Sequence, residues 1–218
     1  MSNKSYLTLA THYKNCLIEG GDTFSGMGWP RQEDNFVRFA VMTEMIKPHL
    51  RVNRKLSILD FGCGTSHFYD YLAKNGLGES VKYTGLDILK ESVLISKLKH
   101  PNNKYICADI IEDDSLLGMY DFILINGVFT QKLNMKSSDM KFFFQSILKI
   151  LFKHTKIGIS FNAMSQFVDF KKRGAFHLSL DYLCSFLCKE MSRNFIIRHD
   201  YGLYENTVLV YKVVNGKK

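Results

Sequence analysis

The chain has 218 residues, of which 46% are hydrophobic and 23% charged, proportions typical of one soluble globular domain. Its formal net charge of +8 is spread along the sequence, and the densest basic cluster is only Lys171-Lys172-Arg173, so charge alone gives no reason to expect a nucleic-acid partner. Without a run of about 20 apolar residues, an apolar signal segment or paired cysteines, we expect a cytoplasmic protein with no membrane partner.

Helical and strand-like segments alternate along most of the chain. Apolar spacing predicts helices over residues 35–46, 67–74, 90–98, 139–152 and 180–191. Short apolar runs predict strands over residues 56–61, 81–86, 104–108, 120–125, 156–161, 194–199 and 207–214. The last two strands have no helix between them. We therefore predict a Rossmann-like, doubly wound, seven-stranded and mostly parallel α/β sheet with an antiparallel C-terminal edge hairpin.

The predicted domain organisation is simple. Residues 1–218 form a single domain, in which an N-terminal lid and helices (1–50) precede a Rossmann-like core (55–218).

The first predicted strand ends in the sequence Ile58-Leu-Asp-Phe-Gly-Cys-Gly-Thr. Gly62 and Gly64 allow a tight turn and let a ligand lie against bare backbone, close to the amides that begin the next helix. A dinucleotide-binding turn has a third glycine where this chain has His67. The turn therefore favours a ligand other than a dinucleotide, and His67 either faces that ligand or caps the helix.

Acidic and amide side chains follow the next three predicted strands. Asp87 ends the second strand, where a carboxylate can accept hydrogen bonds from ribose hydroxyls. Asp109 ends the third strand and could accept from an adenine amino group, and Asn126-Gly127 ends the fourth. Any one of them could be a turn or cap residue. Four such positions in succession, counting the glycine turn, predict one ligand site at this edge of the sheet.

Together these segments resemble the class I S-adenosylmethionine-dependent methyltransferases. The resemblance rests on Ile58-Leu-Asp-Phe-Gly-Cys-Gly, Gly85-Leu-Asp, Ala108-Asp-Ile and Asp121-Phe-Ile-Leu-Ile-Asn-Gly, and covers roughly residues 55 to 160. It implies methyl transfer from S-adenosylmethionine, with S-adenosylhomocysteine as the product. The implied cofactor-binding residues are Arg38, Asp60, Gly62, Gly64, Asp87, Ile88, Asp109, Ile110, Asn126 and Gly127.

The flanking segments are similar to an uncharacterised bacterial branch of that family. They contain Gly21-Asp22, Gly28-Trp29, Phe161-Asn162 and Phe167-Val168-Asp169. Residues 13–29 show little regular periodicity, so we expect a lid with Trp29 facing the pocket; the alternative is that Trp29 only packs a loop onto the sheet. The candidate substrate-binding residues are Tyr13, Trp29, Phe161 and Tyr204.

Transfer of a methyl group to an alcohol is helped by a general base, and no metal ion is needed in principle. Histidine ionises near neutrality, which makes His177 and His199 candidate bases, although a structural role is the alternative for each. We predict O-methylation of a small molecule, such as a sugar, a nucleotide-linked or a phosphorylated metabolite. A building block of a surface polysaccharide is one acceptor of this kind.

Three other functions remain open. An N-methyltransferase for nucleic acid or protein would normally have two prolines within the segment that reads Asn126-Gly-Val-Phe here. A non-catalytic binder of the same cofactor would keep the fold without the reaction. A nucleotide-dependent dehydrogenase is disfavoured by His67 in the glycine turn.

Overall fold

A computed structural model describes residues 4–51 and 53–212. The helices are α1 (Leu7–Gly20), α2 (Gln32–Thr43), α3 (His67–Lys74), α4 (Lys90–Lys99), α5 (Ser137–Lys153) and α6 (Leu180–Glu190). The strands are β1 (Leu56–Phe61), β2 (Val81–Asp87), β3 (Lys104–Cys107), β4 (Tyr120–Phe129), β5 (Thr155–Ser165), β6 (His177–Leu178), β7 (Phe195–Arg198) and β8 (Glu205–Tyr211).

The strands form one sheet with the order β3-β2-β1-β4-β5-β8-β7. Strands β1 to β5 are parallel, whereas β8 runs antiparallel to both β5 and β7. The predicted fold is therefore confirmed, including the antiparallel C-terminal edge. Within the described residues the sheet has eight strands rather than seven, because His177–Leu178 adds a short parallel pairing to β5. Two residues carry no periodicity, so this strand leaves no signal in the sequence.

Two apolar layers cover the faces of the sheet. In β4, Phe122 and Leu124 belong to the layer that packs against α2 and α3, whereas Ile123 and Ile125 belong to the layer that packs against α5 and α6. This follows from strand geometry, since successive side chains point to opposite faces. All four side chains are buried, and each contributes roughly 1.5–3 kcal/mol by leaving water. Burial on both faces explains the uninterrupted apolar run in the sequence.

The N-terminal region differs from its prediction. Residues 13–29 were expected to be an irregular lid, but α1 continues to Gly20, so only residues 21–31 form a loop. Helix α1 escapes detection because its two buried apolar residues, Leu9 and Leu17, lie eight positions apart. Helix α2 begins at Gln32, and Glu33 and Asp34 in its first turn favour that start through the helix dipole.

At the other end of the chain, β8 ends at Tyr211, and the last two residues of the predicted strand, 213 and 214, lie outside the described residues. Across residues 4–51 and 53–212, no helix combines the length and apolar character that a bilayer crossing requires.

Candidate active site

A cavity opens at the carboxyl edge of the sheet, where β1 and its neighbours β2 and β4 end. This is the position expected of a ligand site, because the chain crosses to opposite sides of β1 and leaves a crevice between the strand ends. Nine of the ten residues implied by the resemblance line this cavity: Asp60, Gly62, Gly64, Asp87, Ile88, Asp109, Ile110, Asn126 and Gly127.

The glycine turn after β1 is held against β2. The backbone N–H groups of Gly62 and Cys63 both donate to the carbonyl oxygen of Leu86, at 2.8 and 3.0 Å. Gly62 and Gly64 have φ angles of +74° and +52°, a region that side chains rarely tolerate. A Cβ atom on Gly62 would lie only 2.5 Å from Val128 Cγ2. Both the backbone conformation and the available space therefore require glycine at position 62.

Asp87 links the end of β2 to the glycine turn. One of its carboxylate oxygens accepts a hydrogen bond from the Gly64 N–H at 2.9 Å, and the other accepts from the Leu89 N–H at 2.8 Å. Burial raises the pKa of Asp87, while these backbone hydrogen bonds oppose that shift. Each carboxylate oxygen has two lone pairs, so the group keeps the capacity to accept further hydrogen bonds from a ligand.

The wall beside Asp109 combines a carboxylate with apolar surface. The Tyr6 hydroxyl donates to Asp109 Oδ2 at 2.7 Å, and the Ile111 N–H donates to Oδ1 at 3.1 Å. Burial, with the adjacent Asp109 carboxylate, raises the pKa of Tyr6. The Tyr6 ring stacks on Phe143 with centroids 5.2 Å apart. The sequence did not point to Tyr6, because it stands outside every motif and about 100 residues before its partner.

Asp60 is a buried carboxyl group with 3% exposure. The Tyr83 hydroxyl donates to its Oδ2 at 2.6 Å. Burial raises the pKa of Asp60 to about 7, and the negative charge of Asp87 acts in the same direction. Asp60 therefore keeps its proton to a higher pH than an exposed aspartate does.

This ionisation predicts a pH-dependent stability. The folded chain binds the Asp60 proton more tightly than the unfolded chain, so the stabilisation is complete below the unfolded pKa and is lost as pH rises through the folded pKa. We expect the unfolding free energy of the wild type, relative to Asp60→Asn, to fall by ~4 kcal/mol at most between about pH 4 and 8. Urea unfolding of the ligand-free proteins measures this difference.

Asp121 provides the matched control. Its burial would raise its pKa, but hydrogen bonds from Ser57 and the positive charges of Arg54 and Lys156 lower it overall. Its stabilising effect is therefore lost only in acid. The stability difference between the wild type and Asp121→Asn should stay constant between about pH 5 and 8. A constant difference for Asp60→Asn as well would contradict a raised pKa at Asp60.

The loop of residues 21–31, here called the lid loop, crosses the cavity. Met27 lies so close to Gly64 that a Cβ atom there would be 2.5 Å from Met27 Sδ. Trp29 packs on Gly127 and lines the cavity, where the sequence placed it. Asp22 pairs with Lys99 at 3.0 Å and with His67 at 3.0 Å. These contacts attach the loop to α3 and α4.

Arg38 lies behind Trp29 rather than in the cavity wall. Its Nε and Nη2 atoms both contact Glu205 Oε1 at 2.6 Å, and its guanidinium lies 4.2 Å from the centroid of the Trp29 ring. The side-chain amide of Asn162 donates to Glu205 and accepts from the Gly127 N–H at 2.7 Å. Arg38 therefore supports Trp29 and the Gly127 turn. Its Nη1 atom is buried without a hydrogen-bond partner among the described residues, and the cofactor-binding role that the resemblance implies stays a prediction. Its partner Glu205 is 167 residues away in sequence, which is why the sequence could not reveal this pairing.

The structure also places both candidate bases outside the cavity wall. His177 Nδ1 lies 2.6 Å from the Ser165 carbonyl oxygen, and His199 Nδ1 lies 2.9 Å from the Glu205 carbonyl oxygen. Each ring is therefore positioned by a backbone carbonyl of the C-terminal half of the sheet.

Two candidate substrate residues lie elsewhere as well. Phe161 is fully buried in the core, where its ring meets Phe144 at 5.6 Å. Tyr204 is exposed, and its hydroxyl donates to Asp169. Tyr13, like Trp29, does line the cavity. Strand periodicity alone cannot say whether an aromatic residue at the end of a strand faces a ligand or the core.

Among the described residues, His67 is the histidine that lines the cavity. Its Nε2 pairs with Asp22, and its ring stacks on Phe24 with centroids 4.4 Å apart. Burial lowers the pKa of His67, and the positive charge of Lys99 acts in the same direction. Its imidazole is therefore biased towards the neutral form.

Unpartnered amide oxygens are a further feature of the cavity wall. Within the described residues, the buried Oδ1 atoms of Asn35 and Asn126 have no hydrogen-bond partner. Asn35 Nδ2 contacts the Arg31 carbonyl oxygen at 3.4 Å, which orients its oxygen as the free atom. Leaving a buried acceptor without a donor costs free energy, so such atoms indicate where a ligand can donate. Asn35 was not singled out in the sequence.

Comparison with known proteins identifies the family of the chain. A family model described as a methyltransferase domain matches residues 35–157, which include β1 to β4. A curated protein of Mycobacterium tuberculosis (strain ATCC 25618 / H37Rv), named "Putative methyltransferase Rv1506c", is 32% identical over 161 residues, covering 72% of this chain and 93% of that protein.

Solved structures show the same fold. The magnesium protoporphyrin IX methyltransferase ChlM from Synechocystis PCC 6803 with bound S-adenosylmethionine superimposes with a TM-score of 0.64 at 13% identity, covering 96% of this chain and 97% of that chain. TehB from Haemophilus influenzae gives a TM-score of 0.56 at 18% identity, over 92% of this chain and 67% of that chain. The family match includes the strands that carry the cavity, and the chain therefore belongs to the class I methyltransferases that use S-adenosylmethionine as cofactor.

Proposed function

We propose that this methyltransferase transfers the methyl group of S-adenosylmethionine to a hydroxyl group of a small-molecule acceptor, such as a sugar, a nucleotide-linked or a phosphorylated metabolite. The observation that carries the proposal is the shape of the site. A single cavity runs from the Asp109 wall past the glycine turn to Tyr13 and Trp29, and the lid loop covers it. A covered, aromatic-walled cavity suits a small acceptor better than a macromolecular surface.

Within this proposal the cofactor-binding groups follow from their chemistry. Asp87 would accept hydrogen bonds from the ribose hydroxyls, and Asp109 with the flat surface of Tyr6 would receive the adenine. The methionine part would lie along the turn from Gly62 to Gly64, which lines the cavity. The free Oδ1 of Asn35, together with Asp60, suits its ammonium group, because both are acceptors with little exposure to water.

Bound S-adenosylmethionine supplies an already electrophilic methyl group, so the protein mainly has to align the acceptor and exclude water. In our proposal Tyr13 and Trp29 form the acceptor wall. Burial raises the pKa of Tyr13 to about 12, so its hydroxyl remains protonated and acts as a hydrogen-bond donor rather than a base. The Asn162 amide holds the Gly127 N–H and with it the turn beneath Trp29.

The candidate general base in this proposal is His67, in place of His177 and His199. If Nε2–H donates to Asp22, the neutral ring presents the lone pair of Nδ1, which can take the proton of an alcohol. Asp22 would keep the ring in that tautomer, as carboxylates do for catalytic histidines.

A second candidate function is N-methylation. It is favoured by Asn126, whose free Oδ1 can accept a hydrogen bond from an amino group of an acceptor placed next to the Gly127 turn. The identity of the labelled product decides between oxygen and nitrogen as the acceptor atom.

The test of the proposed function combines binding with turnover. We expect S-adenosylhomocysteine, but not NAD, to raise the melting temperature, because only a ligand of the folded state stabilises it. Incubation with methyl-labelled S-adenosylmethionine and a metabolite extract should then give a labelled small molecule with an O-methyl group.

Trp29→Ala should lower this turnover by about 10-fold or more while the protein stays folded, because it removes the proposed acceptor wall. The exposed residue Leu98 on α4 supplies the matched control, and Leu98→Ala should turn over normally. Label transfer to RNA or protein in place of a metabolite would refute the proposal.

A further inference from the structure

The loop after β5, residues 166–174, exposes two aromatic rings outside the cavity. Phe167 is 68% exposed and Phe170 is 71% exposed. Tyr204 lies edge-on to Phe170 with ring centroids 6.3 Å apart, and its hydroxyl donates to Asp169 in the same loop. We call Phe167, Phe170 and Tyr204 the aromatic patch. Keeping two phenylalanine rings in water is unfavourable, so such a patch points to a partner surface.

Three cations follow the patch directly in sequence: Lys171, Lys172 and Arg173, all exposed. Among residues 4–51 and 53–212 none of these three forms an ion pair, and the single carboxylate of the loop, Asp169, is already hydrogen-bonded to Tyr204. The loop therefore combines exposed rings with an excess of positive charge. This combination suits a surface that is both apolar and anionic.

The base of the loop is firmly held. The backbone N–H groups of Lys132 and Leu133 donate to the Gly174 carbonyl oxygen at 2.7 and 2.9 Å, and Phe176, which follows, is buried. Because β5 is parallel to β1 and β4, the loop leaves the sheet at the same edge as the cavity. The exposed rings thus project from a fixed base on the side of the molecule that holds the site.

We propose that the aromatic patch and its three cations dock this protein onto the surface of an anionic lipid bilayer. The size of the patch distinguishes this partner from a protein. Two phenylalanine rings expose on the order of 300 Å², whereas a stable protein interface covers roughly 800 Å² on each partner. Shallow insertion of a few aromatic side chains, with nearby Lys and Arg at anionic headgroups, is enough for reversible membrane contact.

This docking differs from the expectation of no membrane partner, which rested on the lack of a spanning segment. A surface contact needs no such segment. The inference is also independent of which acceptor is methylated, since lipid binding is measured without turnover.

Co-sedimentation of the full chain with vesicles tests the proposal. We expect binding to vesicles of equimolar phosphatidylcholine and phosphatidylglycerol, weaker binding at high salt, and little binding to phosphatidylcholine alone. Phe167→Ser with Phe170→Ser should lower the partition coefficient about 10-fold, because both inserting rings are lost. Lys171→Gln with Lys172→Gln should lower it about five-fold per cation, or ~25-fold in total.

Two matched double variants control for general effects. Leu94→Ser with Leu98→Ser removes two apolar side chains of α4 that are 56% and 76% exposed, and Lys90→Gln with Lys97→Gln removes two exposed cations of the same helix. Both should bind vesicles like the wild type. This comparison matters because a net charge of +8 attracts any anionic surface. Unchanged melting temperatures and S-adenosylhomocysteine affinities establish that every variant is folded.

Several outcomes would overturn the docking proposal. Equal binding to anionic vesicles and to phosphatidylcholine vesicles would show that the cations play no role. If the α4 variants lost as much vesicle binding as the patch variants, the binding would depend on general charge or exposed apolar surface rather than on the aromatic patch. Retained binding in the Phe167 and Phe170 variant would remove the role of the rings. If the patch variants instead lost binding to poly-uridylate while no form bound vesicles, the partner would be a single-stranded nucleic acid.

Discussion

Asp87→Ala is expected to weaken the affinity for S-adenosylhomocysteine about 100-fold. In our proposal this carboxylate accepts hydrogen bonds from both ribose hydroxyls, and hydrogen bonds to a charged group contribute ~1.5 kcal/mol or more each. Two of them correspond to roughly 100-fold in affinity. The substitution also removes the acceptor for the Gly64 and Leu89 N–H groups, which loosens the turn on which the methionine part would rest. Isothermal titration calorimetry measures the loss.

Asp87→Asn should weaken the affinity for S-adenosylhomocysteine nearly as much. An asparagine offers one acceptor oxygen, whereas the wild-type side chain uses both oxygens towards backbone donors. The matched control is Glu91→Gln, which removes an exposed carboxylate from the following helix, where its partner is Lys14. Affinity should be unchanged in that control. Wild-type affinity in a cooperatively folding Asp87→Ala protein would show that this carboxylate does not hold the cofactor.

Gly127→Ala is expected to lower the unfolding free energy by ~3 kcal/mol and to displace Trp29. The φ angle of +83° imposes strain on any residue with a Cβ atom, at roughly 1–2 kcal/mol. In addition the new Cβ would lie 2.3 Å from Trp29 Cζ2, and overpacking of this kind costs about 1–3 kcal/mol. The ring cannot easily retreat, because the Arg38 guanidinium packs against it. Urea unfolding measures the free energy, and turnover should fall with it.

The chain offers a control that has the strain without the clash. Gly76 has a φ of +70°, and an added Cβ would meet nothing within 4 Å. Gly76→Ala should therefore cost only the strain, roughly 1–2 kcal/mol. In a Trp29→Ala background the cost of Gly127→Ala should fall to a similar value. Equal costs for Gly127→Ala with and without Trp29 would argue against close packing of the lid loop on this turn.

The fold could be predicted from the sequence because its signals are local. The central strands β1 and β4 carry short runs of apolar residues, and burial on both faces of a parallel sheet produces that pattern. The same reasoning missed α1, whose few buried contacts give weak periodicity, and β6, which has two residues. Both elements depend on tertiary contacts that short-range patterns do not record.

The residues of the candidate site also include some that the sequence could predict and some that it could not. Gly62, Asp87 and Asp109 could be placed at one edge because each stands at the end of a parallel strand or within two residues of it. The pairing of Arg38 with Glu205 could not, because a buried charge takes whichever partner the folded chain brings to it. Tyr6 and Asn35 enter the cavity wall from helical segments before β1 that carry no motif. His67 stood in a motif, but only the lid loop shows its partner Asp22.

The position of Trp29 also gives the protein an optical property. It is the single tryptophan of the chain, and its indole lies between a guanidinium on one side and the cavity on the other. With excitation at the long-wavelength edge of the ultraviolet absorption, where tyrosine does not absorb, the emission of the unlabelled protein therefore originates at this one place. The emission maximum and intensity should change as a ligand enters the cavity and displaces water. Occupancy of the cavity can therefore be followed in real time without a dye.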